Sequence, residues 1–166
     1  MQNIKAEPKT REKPVKIDER DRKIFNLLNK NARLTLKEIA KEVGMSMDGV
    51  KGRIGRMVES GAIIKFAAIP EPKFFGLPVN TQVYVKLKNI TEEGLQKFKN
   101  YLKSHERVML FMSVVGDFDI YFVLLGKSAN EIYNLKNEIR QKFSDLIADW
   151  REVVTAEIFK YEEYSF

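Results

Sequence analysis

The chain has 166 residues, 44% of them hydrophobic, with no cysteine, one histidine and a formal net charge of +6. That length accommodates one ordinary domain or two small ones with real cores, and the lack of cysteine excludes disulfides and thiolate metal sites. The apolar runs are too short to span a membrane and residues 1–16 hold no secretory h-region, so a cytoplasmic protein is expected.

The basic excess is confined to the front of the chain. Residues 1–17 carry five Lys/Arg against two Glu, residues 18–66 eleven basic against seven acidic, and residues 67–166 thirteen against fourteen. The front is therefore expected to meet a polyanion and the rear to do something else.

In chain order, residues 1–16 are polar and without period, which predicts a disordered basic arm. Ile24, Phe25, Leu27 and Leu28 then form a helical stripe behind an acidic first turn of Asp18, Glu19 and Asp21, as the helix dipole favours. Thr35-Leu-Lys-Glu38 is a capping box that opens a second helix, and Gly44 suits its left-handed stop. Ser46 is an N-cap for a third helix that Gly61 would end. The tight Gly44-Met45-Ser46 turn between the last two makes a helix-turn-helix over residues 17–66. AIIKFAAIP is β-prone, and residues 67–80, with Pro72, Gly76 and Pro78, read as a hinge.

Residues 81–166 alternate differently. A strand at 81–88, a helix from Thr91 to about Lys103, strands at 108–115 and 119–125, a helix capped by Ser128 and a final β-rich segment (150–164) give the order β-α-β-β-α-β. This predicts a ferredoxin-like domain, four antiparallel strands with both helices on one face, in an α+β chain. VMLFMSVV and IYFVLL are apolar at nearly every position, a sign of burial on both faces. A second copy of the sheet is the expected cover, hence a homodimer; the alternative is the chain's own C-terminal tail.

An enzyme reading lacks parts. The single His105 lies in a polar KSHER context, and no Ser/His/Asp set, metal cluster or phosphate-loop motif can be assembled. Gly49, Gly52 and Gly55 follow a helical N-cap, unlike a phosphate loop. On the third helix Met47, Val50, Ile54, Met57 and Val58 are expected to face the core, and the three glycines to face outward. The first turn of such a helix lies nearest the base edges in the major groove, which singles out Met47, Asp48 and Lys51; Lys51, Arg53 and Arg56 would meet phosphates, and the N-cap Ser46 joins the DNA-binding set.

The stretch RLTLKEIAKEVGMSMDGVKGRIGRMVESGAIIKF resembles the DNA-binding domain of the leucine-responsive/asparagine (Lrp/AsnC) regulators. The matching elements are Asp18-x-x-Asp21-x-x-Ile24, Ala32-Arg-Leu-Thr-x-x-Glu-Ile-Ala40, Val43-Gly-x-Ser46 and Arg53-Ile-x-Arg-Met-x-x-x-Gly-x-Ile63. In the second half, Val114-Val-Gly-Asp-Phe-Asp-Ile-Tyr121 and the β-α-β-β-α-β order are similar to that family's ligand-sensing (RAM) domain. The resemblance implies a transcription regulator, not an enzyme, with a winged or three-helix DNA-binding domain and no cofactor. It also implies double-stranded DNA and further copies of the chain as partners, in dimers, tetramers or octamers, and an amino-acid or other small effector. Carried over by position, the effector would meet Val115, Gly116, Asp117, Asp119 and Thr155. Val153 stands where a second threonine is expected, and the glycines of the third helix replace larger residues. A weakly sequence-specific architectural DNA-binding protein is the alternative.

Overall fold

The computed structural model describes residues 15–166; the predicted basic arm lies, up to residue 14, outside the described residues. The chain forms two compact units, one built by the residues up to Ile69 together with Phe159–Phe166, the other by Pro70–Ile158.

In the first unit three helices follow the caps. Asp18 closes a reciprocal capping box with Asp21 at the start of α1 (Glu19–Lys30), and Thr35 does the same with Glu38 ahead of α2 (Leu36–Val43). Gly44 takes the left-handed conformation (φ 68°) that ends α2, with its N–H donated to the Ala40 carbonyl. Ser46 then accepts the Gly49 N–H at 3.1 Å and starts α3 (Met47–Glu59). Ile24, Leu28, Ile39, Val50, Met57 and Ile63 are buried between the helices.

Two expectations fail here. Met47 and Val58 are 54% and 45% exposed rather than buried, because the core direction of α3 passes through Val50 and Met57, leaving both on its edge. The β-prone segment after α3 forms no strand. Gly61 (φ 63°) turns the chain so that Ile63 donates its N–H to the Met57 carbonyl, and no strand among the described residues pairs with the segment beyond it. Ile64 and Phe66 stay exposed.

The second unit opens with a 3-10 turn, Pro72–Phe75, stopped by Gly76 at φ 76°. β1 (Val79–Leu87) begins two residues earlier than expected, since Val79 already pairs with Gly126. There follow α4 (Glu92–Ser104), β2 (Val108–Ser113), β3 (Ile120–Gly126), α5 (Ala129–Lys142) and β4 (Ile147–Val154). The sheet order is β2-β3-β1-β4 with every pair antiparallel, the ferredoxin-like arrangement. The core against the helices holds Val83, Val85, Phe98, Leu102, Phe122 and Trp150. Tyr84, Tyr121, Val123, Leu110 and Met112 are register neighbours on the opposite face, where no helix of the unit packs.

The last strand ends at Val154, short of the β-rich stretch expected as far as residue 164. Phe159–Phe166 join the helical unit instead of the sheet unit to which residues 81–166 were assigned. Of their aromatic side chains, Phe166 finds an apolar partner on α1, Phe25.

Candidate nucleic-acid interface

α3 is held to α1 by charge. Asp21 is fully buried, and its two oxygens accept from Arg53 Nη1 at 2.8 Å and Arg56 Nη2 at 2.6 Å. Arg53 Nη1 also donates to Asp18 at 2.7 Å. A buried carboxylate is tolerated only when paired and hydrogen-bonded in this way. The Asp21 backbone N–H, followed by the Arg53 guanidinium, pulls the Asp18 carboxyl down to about 2, and the two aspartates raise Arg53. Arg53 and Arg56, expected to meet phosphates, are thus engaged within the fold. Arg53 is mostly covered, with 22% of its side chain exposed, whereas Arg56 keeps 48%.

What α3 offers outward follows from about 100° per residue around a core direction set by Val50 and Met57. Asp48, Gly52, Gly55 and Glu59 lie opposite that direction; Lys51, Met47 and Val58 occupy one flank and Arg56 the other. A Cβ added at Gly52 or Gly55 would meet nothing within 4 Å. The centre of the face is therefore bare backbone between two carboxylates. Lys51 is exposed and, unlike Arg53 and Arg56, has no described ion pair. Ser46 spends its acceptor on the cap and keeps its hydroxyl proton to donate.

Two features escaped the sequence reading. Glu59 adds a second carboxylate to the outward face. Asp18 and Asp21, read there as helix-dipole partners and motif positions, are the counter-ions of the arginines. The matching i,i+3 spacings of Asp18/Asp21 and Arg53/Arg56 were the available signal.

The predicted effector residues do not form one cluster within a chain. Val115, Gly116 (φ 147°) and Asp117 are exposed in the β2–β3 turn. Asp119 points back to the C-terminal end of β1, accepting from the Leu87 N–H at 2.8 Å and Lys86 Nζ at 3.2 Å; these bonds, the backbone one first, hold its carboxyl below the usual range. Thr155 sits at the other end of β1, with its hydroxyl on Asn80 (3.1 Å) and Gln82 (3.3 Å). Asn80 and Leu87 are roughly 23 Å apart along the strand at about 3.3 Å per residue. Among the described residues no group of acidic or histidine side chains could hold a metal ion, and no helix is long and apolar enough to cross a membrane.

Comparison with known proteins agrees with this architecture. Residues 17–64 match the family described as winged helix-turn-helix DNA-binding. The proline dehydrogenase transcriptional activator of Rhodobacter capsulatus is 32% identical over 130 residues, which is 78% of this chain and 82% of that protein. The HTH-type transcriptional regulator Ptr1 of Methanocaldococcus jannaschii is also 32% identical, over 73% of this chain and 85% of its own. Among solved structures, an AsnC family transcriptional regulator from Agrobacterium tumefaciens superimposes with a TM-score of 0.78 at 25% identity, covering 87% of this chain and 93% of that one. A transcriptional regulator of Neisseria meningitidis in complex with L-Met has the same fold, with a TM-score of 0.80 at 18% identity over 91% and 96% of the two chains.

Proposed function

The chain belongs to the Lrp/AsnC family of helix-turn-helix transcriptional regulators, and from that premise we propose how it engages DNA and what controls it. α3 enters the major groove with its first turn foremost, so that Met47, Asp48 and Lys51 reach base edges while Ser46, Lys51 and the open side of Arg56 reach phosphates. Arg53 contributes by fixing the helix rather than by touching DNA. The observation that carries this reading is the division of cations on α3: Arg53 and Arg56 share the buried Asp21, and Lys51 projects freely beside the first turn.

The same face favours a second reading, weakly selective architectural binding, because its centre is glycine backbone flanked by Asp48 and Glu59 and offers few donors to bases. Salt titrations decide between them. A regulator binds its own promoter well above random DNA at moderate salt. Equal affinity for all sequences, with a steep salt slope, supports the architectural reading instead.

The regulator works as a dimer or larger assembly through the uncovered sheet face, where the exposed Met112 and the half-buried Leu110 and Tyr121 need a partner surface. An amino-acid effector is supported by the L-Met complex of the Neisseria regulator. Since Val115–Asp117 and Thr155 lie at opposite ends of β1, a site using both would be completed by a second copy. Native mass spectrometry of the intact protein checks the assembly and any retained amino acid together; a monomer would overturn the assembly and the shared site. A cytoplasmic location goes with this function.

A further inference from the structure

Tyr164 and Phe166 lie against α1 and are gripped by two of its asparagines. Asn26 pairs with the backbone of Phe166 on both sides, its Nδ2 donating to the carbonyl at 2.9 Å and its Oδ1 accepting the N–H at 3.2 Å. Asn29 Nδ2 donates to the Tyr164 carbonyl at 2.9 Å. The Phe166 ring meets Phe25 at 5.4 Å and stacks on Tyr164 at 5.9 Å, 7° from parallel. Beneath it lies a cavity of about 270 Å³ bounded by Phe25, Met57 and Ala62.

The spacing explains the fit. Side chains three apart on a helix are neighbours about 5–6 Å apart, and carbonyls two apart on an extended chain are separated by about 6.6 Å. An i,i+3 pair of amides therefore matches alternate residues of an extended segment, and alternation puts both rings on one side. Asn26 satisfies donor and acceptor of one residue, as a neighbouring strand would. A random apolar contact has no need of either amide.

We propose that α1 carries a docking site for an extended Tyr-x-Phe segment, filled here by Tyr164–Phe166 of the same chain as a releasable latch. Release is cheap because the hydrogen bonds are exposed and the rings are half out, Tyr164 at 50% and Phe166 at 61% exposure. Phe166 lines the same cavity as Met57, the last fully buried side chain of α3, so the latch adjoins the recognition helix from behind. The chain passes between the units at Ile69–Pro70 and again at Ile158–Phe159. The segment that leads back to β4 is thus tied to the DNA-binding unit by non-covalent contacts on α1. It concerns no DNA contact and stands or falls independently of the reading above.

A spin label on Ser165→Cys in the full-length, otherwise cysteine-free protein tests this by NMR; Ser165 carries none of the described contacts. We expect the Phe25–Asn29 amides to broaden, and adding Asn26→Ala and Asn29→Ala to restore them. Limited proteolysis within 155–166 should accelerate in Asn26→Ala and Asn29→Ala, roughly two- to tenfold for each hydrogen bond lost, with far-UV CD unchanged. Unbroadened amides, or unchanged cleavage in the asparagine variants, would overturn the latch. In mixed samples of labelled and isotope-enriched copies, equal broadening on the unlabelled copies would overturn docking within one chain.

Discussion

Arg53 on α3 donates to the buried Asp21 of α1 at 2.8 Å, and Arg56 takes the other oxygen of the same carboxylate at 2.6 Å. One side chain thereby sets the roll of the recognition helix. Replacing Asp21 by Ala leaves the covered Arg53 with Asp18 alone and frees Arg56. Breaking a buried pair from one side costs about 3–5 kcal/mol; with Arg56 half exposed, about 2–3 kcal/mol is expected for the helical unit. Urea denaturation of Asp21→Ala checks this, and DNA affinity should fall with it although Asp21 touches no DNA.

Acid acts on the same network through Asp18. Its carboxyl is lowered from 3.8 to about 2, first by the Asp21 N–H and then by Arg53. A depressed carboxylate stabilises the fold at pH values above its unfolded pKa, and that contribution is lost as pH falls through the folded one. Stability should therefore decline between about pH 4 and pH 2. In Asp18→Asn the decline should be shallower, with the remainder left to the other depressed carboxylates such as Asp119, as read by thermal melts across that range.

The glycines of α3 divide by their surroundings. Gly52 has open space where a Cβ would stand, so Gly52→Ala should stabilise by about 1 kcal/mol, the helix-propensity difference. At Gly49 the added carbon would come within 3.1 Å of Met45 Cε and 3.2 Å of Ser46 Oγ, the cap oxygen. Gly49→Ala should gain less or lose. If DNA needs the bare face, Gly52→Ala will bind DNA more weakly despite its higher Tm; equal affinity would show that close backbone approach is not its use.

Lys51→Ala and Arg53→Ala should differ in kind. Lys51 has no described partner, so its loss should leave Tm unchanged, weaken DNA binding across sequences and reduce the salt slope by about 1. Arg53→Ala should lower both Tm and affinity, because it leaves Asp21 half paired. Melting curves and salt titrations of the two variants in parallel make the comparison.

In the sheet unit Thr81 is fully buried, with no partner for its hydroxyl among the described residues. Thr81→Val removes an unsatisfied polar group at nearly constant volume. It should raise stability by about 1 kcal/mol, measurable by chemical denaturation.

Most of the secondary structure was legible because its signals are local. Asp18, Thr35 and Ser46 each cap the helix that follows them through a bond to the residue three positions on, a distance any sequence window covers. Strand register was harder: the start of β1 at Val79 depends on Gly126, and the missing strand after α3 on the lack of a partner among the described residues. β-propensity describes a surface that fits a neighbour and cannot say whether the neighbour exists.

The candidate site was legible in residue type but not in role. Asp18, Asp21, Arg53 and Arg56 were all visible, yet their pairing spans 32 or 35 residues. A cation in solvent and a cation holding a buried carboxylate look the same along the chain. Likewise Asp119 and Thr155 seemed to belong to one site until the antiparallel register put them at opposite ends of β1. Caps, turns and amphipathic periods act over a few residues, so composition and order alone decide the helix-turn-helix and the β-α-β-β-α-β plan. Which charges face DNA, which hold helices together and where Phe166 docks depend on pairings between distant segments, and only the packed chain chooses among them.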